Sequence, residues 1–315
     1  MSVVLALFAE YRGTRLGVSK DGQILTGSVP PGEDAFQQGE ALAGASPSIV
    51  VVPGGVREHP WHPLSRLEAE ARCYSAENGI RMLVVDPMSS ADLVAEARFS
   101  GYKEYERRGV FYAVPQRAAY EKAVETLSLP AAEARVITVY LGDEVSVSAH
   151  RGRRIVDTSD PVACEGPFGF TSAGTPPATA FVSWVAQRGG DRSPGAAFEL
   201  REALKEGSGA FAYAGVGDQG ALSEALSLGQ EGAVTGISGM AYQIAKEIGR
   251  QMAALRGRVD AVVLCGPGAS LTPLISGVTS RTGKWVKVLA FMKDLAIPFL
   301  LQEGNAALSS KPKTR

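Results

Sequence analysis

The chain has 315 residues, enough for about two domains at roughly 150 residues each. Hydrophobic residues make up 45% and charged residues 21%, which excludes wholesale disorder, and 32 Lys+Arg against 33 Asp+Glu leave a net charge of -1, which gives no electrostatic reason to expect nucleic acid or an anionic membrane as a partner. Cys73, Cys164 and Cys265 stand far apart with no Cys-x-x-Cys pair, which argues against a disulfide framework or a structural zinc site and fits a reducing cytosol.

The apolar start, residues 1–8, lacks a positive leading segment and meets Glu10 and Arg12 at once, so it reads as a buried first strand rather than a signal peptide. Residues 3–8, 15–19 and 23–29 read as three strands, with turns at Tyr11-Arg12-Gly13 and Lys20-Asp21-Gly22. A helix at 34–44, a strand at 48–52, a helix at 67–78, a strand at 81–85 and helices at 91–100 and 117–127 follow. A second strand triplet then occupies 135–141, 145–150 and 153–158, turning at Gly142-Asp143-Glu144 and Arg151-Gly152. After it come helices at 179–187, 195–205 and 219–228, a long helix at 233–255, a strand at 261–265, a helix at 271–280 and a strand at 285–290. Lys287, Lys293 and Asp294 interrupt the apolar stretch 286–301, so it is not a membrane span.

In the long helix, Val234, Ile237, Ala241, Ile244, Ile248, Met252 and Leu255 recur every three or four residues, a core-facing stripe that Gly257 ends. Two halves that each open with an antiparallel triplet and continue as α/β form a weak internal repeat. It predicts a duplicated α/β architecture, an N-terminal domain at 1–130 and a C-terminal domain at 131–315, with a hinge near 128–134, a cleft between the halves and the last helix able to pack back on the first domain.

The run Tyr140-Leu141-Gly142-Asp143-Glu144-Val145-Ser146-Val147-Ser148-Ala149-His150, followed by Gly152, Asp157 and Glu165-Gly166-Pro167-Phe168, resembles the second phosphate loop and following hairpin of butyrate kinases. Val85-Asp86-Pro87, Ala97-Arg98-Phe99-Ser100-Gly101, Glu106-Arg107-Arg108, Gly174-Thr175-Pro176-Pro177, the run from Ala241 to Gly249 and the run from Val259 to Leu264 are similar to further family segments. The resemblance implies the duplicated ribonuclease H-like, actin-like ATPase fold of the acetate and sugar kinase, Hsp70 and actin superfamily. It also implies reversible phosphoryl transfer between ATP and a short-chain carboxylate, giving ADP and an acyl phosphate, with Mg²⁺. By the same resemblance Asp86 and Glu303 would hold Mg²⁺, Gly142 and Ser146 would lie near the β- and γ-phosphates, and Gly266, Gly268 and Ala269 near the adenosine. The protein is expected to be cytoplasmic and a homo-oligomer, at least a dimer, with no nucleic-acid or membrane partner.

Several positions depart from the family pattern. Its opening phosphate turn is here Phe8-Ala9-Glu10-Tyr11-Arg12-Gly13, which puts a glutamate where anionic phosphate would sit. The family's His-Leu-Gly-Gly-Gly is Tyr140-Leu141-Gly142-Asp143-Glu144, the Arg of its Arg-Gly-Gly is Pro53 before Gly54-Gly55, and the Arg after Gly-Pro-Phe is Ser172. A cation that stabilises a phosphoryl transition state contributes roughly 10³–10⁵ in rate and one oxyanion donor roughly 10²–10³. Arg57, Arg12 or Arg15 could replace one such group, and Arg57 with Asp86 forms the candidate catalytic pair. Butyrate kinase turnover is therefore expected to be weak or absent. The alternative is a non-catalytic paralogue that assembles with or regulates an active kinase, and a third reading is an acidic cleft that binds something other than ATP.

Plainer readings stand beside these. Asp86 could be structural, Glu303 could be a surface-helix glutamate, and Gly142, Gly266 and Gly268 could serve only turns that need positive φ. Asp143-Glu144 reads as a charged hairpin tip, and His150 as structural. His59-Pro60-Trp61-His62 has metal-pair spacing but no third ligand. Cys265 reads as an inert buried thiol. Arg107-Arg108 and Arg151, Arg153 and Arg154 read as solvated faces or salt bridges, and the tail 309–315 as disordered.

Overall fold

The computed structural model describes residues 2–56, 59–87, 92–187 and 207–310. The first meander consists of β1 (Val3–Glu10), β2 (Gly13–Lys20) and β3 (Gln23–Val29). Its second turn works because Asp21 and Gly22 take φ of 49° and 80°, the pair of positive values that a two-residue hairpin matched to strand twist requires. β1 also pairs in parallel with β4 (Ile49–Gly54), and β4 with β5 (Arg81–Pro87). The sheet order is β3-β2-β1-β4-β5.

The second meander, β6 (Arg135–Leu141), β7 (Val145–Arg151) and β8 (Arg154–Thr158), is extended in the same way by β9 (Ala261–Cys265) and β10 (Val288–Ala290). Its order, β8-β7-β6-β9-β10, repeats the first sheet in both sequence and sense. β4 and β9 are apolar and buried along their whole length, because parallel strands are covered on both faces.

The helices are α1 (Ala35–Ala43), α2 (Pro63–Asn78), α3 (Ala113–Leu127), α4 (Ala178–Gln187), α5 (Gly209–Ala214), α6 (Gln219–Ser227), α7 (Glu231–Ala254), α8 (Thr272–Thr282) and α9 (Ala296–Ser309). α1 starts and stops where its residues require. Asp34 accepts the N–H groups of Phe36 and Gln37 at 2.8 and 3.1 Å, and Gly44 closes the helix at φ 62°. The chain divides into two compact units. One contains Met1–Ser90, Tyr112–Ala118 and Asp294–Arg315, and the other Ala91–Phe111 and Ala119–Lys293.

In the first unit α9 lies on β1, β2 and β4. The contact is close because Gly304 has no side chain. A Cβ there would stand 2.5 Å from Val4 Cγ1 and 2.7 Å from Val51 Cγ2. In the second unit α7 buries Ala233, Ile237, Met240, Ala241, Ile244 and Ile248 in the core that also holds Val139, Val147 and Leu264.

Three expectations are corrected. Val234 is 47% exposed and lies outside the stripe, because Gly232 and Gly236 turn toward α5, where a Cβ on Gly236 would stand 2.9 Å from Tyr213 Cβ. The helix expected over 91–100 is a single 3₁₀ turn at Ala95–Arg98, since Arg107 captures the Ala97 carbonyl and Arg107 N–H bonds Arg98 O at 2.8 Å. The strand expected over 285–290 is confined to Val288–Ala290. The helix expected at 195–205 and the tail beyond 310 lie outside the described residues.

Gly304→Val is expected to destabilise the protein by about 1–3 kcal/mol through overpacking against β1 and β4. Gly249→Ala in α7, where the added Cβ meets nothing within 4 Å, is expected to stabilise it by about 0.5–1 kcal/mol. Urea unfolding reads both, and a Gly304→Val variant as stable as the wild type would refute the packing assigned to α9.

Candidate functional site

Ligands of open α/β sheets bind beyond the carboxyl ends of parallel strands, where loop N–H groups point outward. In the first unit those ends belong to β1, β4 and β5. β1 ends at Glu10, which pairs with Arg15 of β2 at 3.2 Å. Arg15 also reaches Asp294 at 2.6 Å and lies 4.7 Å over the Phe8 ring. Asp294 in turn accepts the Ala296 N–H at 2.8 Å and so ties this cluster to the start of α9.

β4 runs out into Pro53-Gly54-Gly55-Val56. Gly55 N–H donates to Glu68 Oε2 at 2.6 Å, Val56 N–H donates to Ser65 Oγ at 3.0 Å, and the Ser65 hydroxyl donates to Val56 O at 3.2 Å. A Cβ on Gly55 would collide with Ser65 Cα, so only glycine lets the turn lie down on α2. An anion does sit on this turn, and it is the protein's own Glu68 carboxylate. Nothing in the pattern of α2 beyond the Glu68/Arg72 spacing of four marked that residue in advance.

At the end of β5, Asp86 takes φ 43° immediately before Pro87, a left-handed conformation costly for a non-glycine residue. Its Oδ1 pairs with Arg117 Nε of α3 at 2.8 Å. A guanidinium thus already neutralises the carboxylate that the resemblance assigns to Mg²⁺. Glu303 stands half-buried on α9. Among the described residues no three His, Cys, Asp or Glu side chains gather in one place, and a Mg²⁺ held here would take one or two carboxylates with substrate phosphates. Arg57 lies outside the described residues. The histidine pair has another use. His62 Nδ1 accepts Leu64 N–H at 3.2 Å and caps α2, while its ring packs at 5.5 Å from Tyr11 and 5.6 Å from Tyr112.

In the second unit the ends of β6 and β9 bring Gly142, Gly266 and Gly268 together around Tyr140 and Leu141. The Tyr140 ring, 1% exposed, fills the space between the glycines. A Cβ would stand 2.8 Å from its Cε1 on Gly142 and 2.9 Å from its Cε2 on Gly266, and 2.8 Å from Leu141 Cβ on Gly268. Gly266 also needs its φ of 87°. Ser146, on β7, is the register partner of Tyr140 on β6 and is buried, as is Ala269 in the turn after Gly266. These glycines fit the aromatic ring beside them.

Asp143-Glu144 is not a solvated hairpin tip. Phe170 N–H donates to Gly142 O at 3.0 Å, and the Thr171 and Ser172 N–H groups donate to Asp143 O at 3.2 and 3.0 Å, so residues 169–172 lie over the tip. Glu144 is consequently 3% exposed. Ser172 Oγ accepts Gly169 N–H at 3.0 Å and thereby shapes the covering segment. Cys265 is buried with its thiol on Val139 O at 3.4 Å. His150 stacks on Tyr120 at 4.9 Å and meets Thr138 Oγ1 at 2.8 Å.

Beside this turn lies an ionic cluster in which Arg107 takes the salt-bridge role read from the sequence, while Asp160 was not singled out. Arg107 bonds Asp157 Oδ1 at 3.3 Å, Glu165 at 2.8 Å and Thr158 O at 2.8 Å. Asp160 accepts Val110 N–H and Ala163 N–H, both at 3.0 Å. Burial pushes the Asp160 carboxyl up to about 6 against these two bonds, and the charges of Glu165 and Glu144 add to the rise.

These observations define the class: a duplicated α/β protein with two sheets of identical order, the actin-like ATPase architecture. A family profile described as the acetokinase family matches residues 101–314. The sequence is 30% identical over 284 residues to the "Probable butyrate kinase" of Enterococcus faecalis, covering 86% of this chain and 78% of that protein. It is 31% identical over 249 residues to the "Probable butyrate kinase" of Deinococcus radiodurans, covering 79% of this chain and 59% of that protein. The chain thus spans less than two thirds of the second relative's length. The acetate kinases of Porphyromonas gingivalis and Entamoeba histolytica superpose with TM-scores of 0.70 and 0.72. The first alignment covers 98% of this chain and 100% of that one at 16% identity, and the second covers 97% and 99% at 14% identity, which speaks for the fold. The chain belongs to the acetokinase family.

A carboxyl whose folded value exceeds its ordinary value of 3.8 holds its proton more tightly in the folded state. Its stabilising contribution is complete below about pH 4 and is lost as pH rises through about 6. Burial raises Asp157 and Glu247 as well, so the readout for Asp160 is the difference from Asp160→Asn. Between pH 4 and 7 the unfolding free energy of the wild type is expected to fall relative to that variant by up to about 3 kcal/mol. Parallel urea-unfolding profiles for the two proteins would contradict this assignment.

Proposed function

We propose that this chain is a butyrate kinase-like member of the acetokinase family whose phosphoryl transfer between ATP and a short-chain carboxylate is far slower than the family reaction. Two relatives carry the name "Probable butyrate kinase", which points to a carboxylate as acceptor, and the family reaction employs ATP with Mg²⁺. That reaction depends on placing the attacking and leaving oxygens in line and neutralising charge on the transferring group with preorganised donors and cations.

The observation that carries the proposal is Glu68 on the Gly55 N–H. A backbone donor at the end of a parallel strand is spent on a carboxylate of the chain, and an arriving phosphate or carboxylate would have to displace a like charge. Two further features act in the same direction. Arg15 pairs with both Glu10 and Asp294, so most of its charge is already answered. The Tyr140 ring fills the glycine-bordered space at the ends of β6 and β9, so backbone N–H groups there are screened from a phosphate by an aromatic surface. Asp86 is paired with Arg117, so its negative charge is partly offset before a substrate or metal arrives.

With ATP, Mg²⁺ and butyrate in a hydroxamate assay, turnover is expected at least about 10³-fold below that of a conventional butyrate kinase, the scale of one lost oxyanion donor or one lost cation. Turnover within tenfold of such an enzyme would overturn the proposal. MgATP binding by calorimetry without turnover would support it.

A further inference from the structure

We propose that the end of the second unit opposite its glycine-bordered turns binds single-stranded nucleic acid. The net charge of -1 hides an uneven distribution. Residues 251–293 contain six basic side chains and a single acidic one, Asp260. The fold carries four of those six, Arg256, Arg258, Lys284 and Lys287, to the end of the second sheet where β6, β9 and β10 begin.

The pairing register sets these cations in a row. Arg154 is the partner of Arg151 across β8 and β7, and Arg151 is the partner of Arg135 across β7 and β6. Asp260 N–H donates to Arg135 O at 2.8 Å, which brings the segment before β9, with Arg256 and Arg258, alongside. Val262 N–H donates to Lys287 O at 2.8 Å, which brings the start of β10, with Lys284 and Trp285, to the same end. Strands about 4.8 Å apart spread the row over about 19 Å from β8 to β10. Acidic side chains lie among these cations too. Asp260 Oδ2 accepts Arg135 N–H at 2.7 Å, Glu121 pairs with Arg153 at 2.7 Å, Asp92 pairs with Arg154 at 3.6 Å, and Glu133 is exposed. Arg151, Arg256, Arg258, Lys284 and Lys287 are exposed, and among the described residues none of these five forms an ion pair.

Two residues stand out in this row. Arg256 occupies the left-handed turn that ends α7, at φ 57° before Gly257 at φ 70°. Gly257 N–H donates to Met252 O at 2.9 Å and closes the helix there. Glycine fits position 256 without strain, so the arginine is held there at a cost to stability. Trp285 is 63% exposed between Lys284 and the buried Val286, and its N–H donates to Thr282 O at 2.9 Å, which fixes the turn that presents the ring.

Charge and ring together identify the occupant. Three of the five cations without an ion pair are arginines, whose planar fork matches phosphate oxygens two at a time. An indole beside them offers a nucleobase a face to stack on, and only a single strand has bases free to use it. An anionic bilayer would take several apolar side chains into its headgroup region, and apart from Trp285 no large apolar side chain of residues 281–290 is exposed. The row therefore suits a phosphodiester strand better than a membrane surface.

Fluorescence anisotropy of a labelled oligothymidylate of about 15 nucleotides, titrated with the full chain in about 50 mM salt, tests this proposal. The wild type is expected to bind with a dissociation constant of about 10⁻⁴–10⁻⁶ M, and its affinity to fall with salt at a log–log slope of about -0.7 per phosphate contacted. Arg256→Gly combined with Arg258→Ser is expected to raise the dissociation constant at least about tenfold and to flatten that slope by about 1.4. Arg256→Gly relieves the left-handed strain, so its melting temperature is expected at or above that of the wild type. Trp285→Ala is expected to raise the dissociation constant at least about fivefold with the salt slope unchanged, because stacking releases no counterions. All of these positions are exposed, and melting temperatures confirm that the variants fold. A wild type that does not bind at about 100 µM overturns the proposal, as does a variant of either kind that binds like the wild type. Equal binding of a DNA duplex, of polyglutamate or of phosphatidylserine vesicles at the same salt would assign the surface to anions in general and overturn it as well.

Discussion

Backbone N–H groups at the carboxyl ends of parallel strands have no ladder partner, and where they are buried something else must accept from them. In many α/β proteins that acceptor is a ligand. At β4 of this chain it is Glu68, together with Ser65, both one turn apart on the helix that follows. The glycine at 55, the approach of α2 and the position of its charged face all answer to that one contact. At β6 and β9 the turns are closed differently, by a tyrosine ring and by residues 169–172 bonding back to Gly142 and Asp143.

The two units therefore solve the same geometric problem with different chemistry. Their sheets match strand for strand, yet one set of strand ends is filled by a carboxylate and an arginine cluster and the other by aromatic and aliphatic surface. A shared backbone plan does not specify what lies at its strand ends, which is why fold and chemistry have to be argued separately for this chain. The ionic cluster of Arg107, Asp157, Glu165 and Asp160 belongs to the same logic. It secures residues 92–111 to the rest of the second unit through charge and backbone bonds, alongside the buried Leu93, Ala97, Val110 and Phe111.

The meanders, the span of α1 and the strands β4 and β9 were legible because they are local: an Asp-Gly turn, a helical stretch near 34–44, a run of valines. The resemblance marked Gly142 for the phosphates and Gly266 and Gly268 for the adenosine, and the fold brings all three to the ends of β6 and β9. Their shared neighbour was not legible, since nothing at position 140 announces that its ring turns back between Gly142 and Gly266, far apart in the chain. Val234 misled because helical periodicity gives the width of an apolar stripe but not its rotation, and the rotation here follows from Gly232 and Gly236 admitting α5. Asp143-Glu144 misled because hairpin tips are ordinarily wet, and only the covering segment 169–172 makes this one dry.

The amino-acid order alone determined the strand triplets, the repeat, the family and the substitutions at Phe8, Pro53, Tyr140 and Ser172, since each is a matter of which residue stands where. Tertiary structure decided that Glu68 caps the Gly55 turn, that Arg117 holds Asp86, that Tyr140 plugs its glycine frame and that Phe99, Tyr102 and Tyr105 remain outside. Those outcomes depend on which side chain reaches a shared point in space first, and hydrogen bonding and packing settle that competition between segments far apart in the chain.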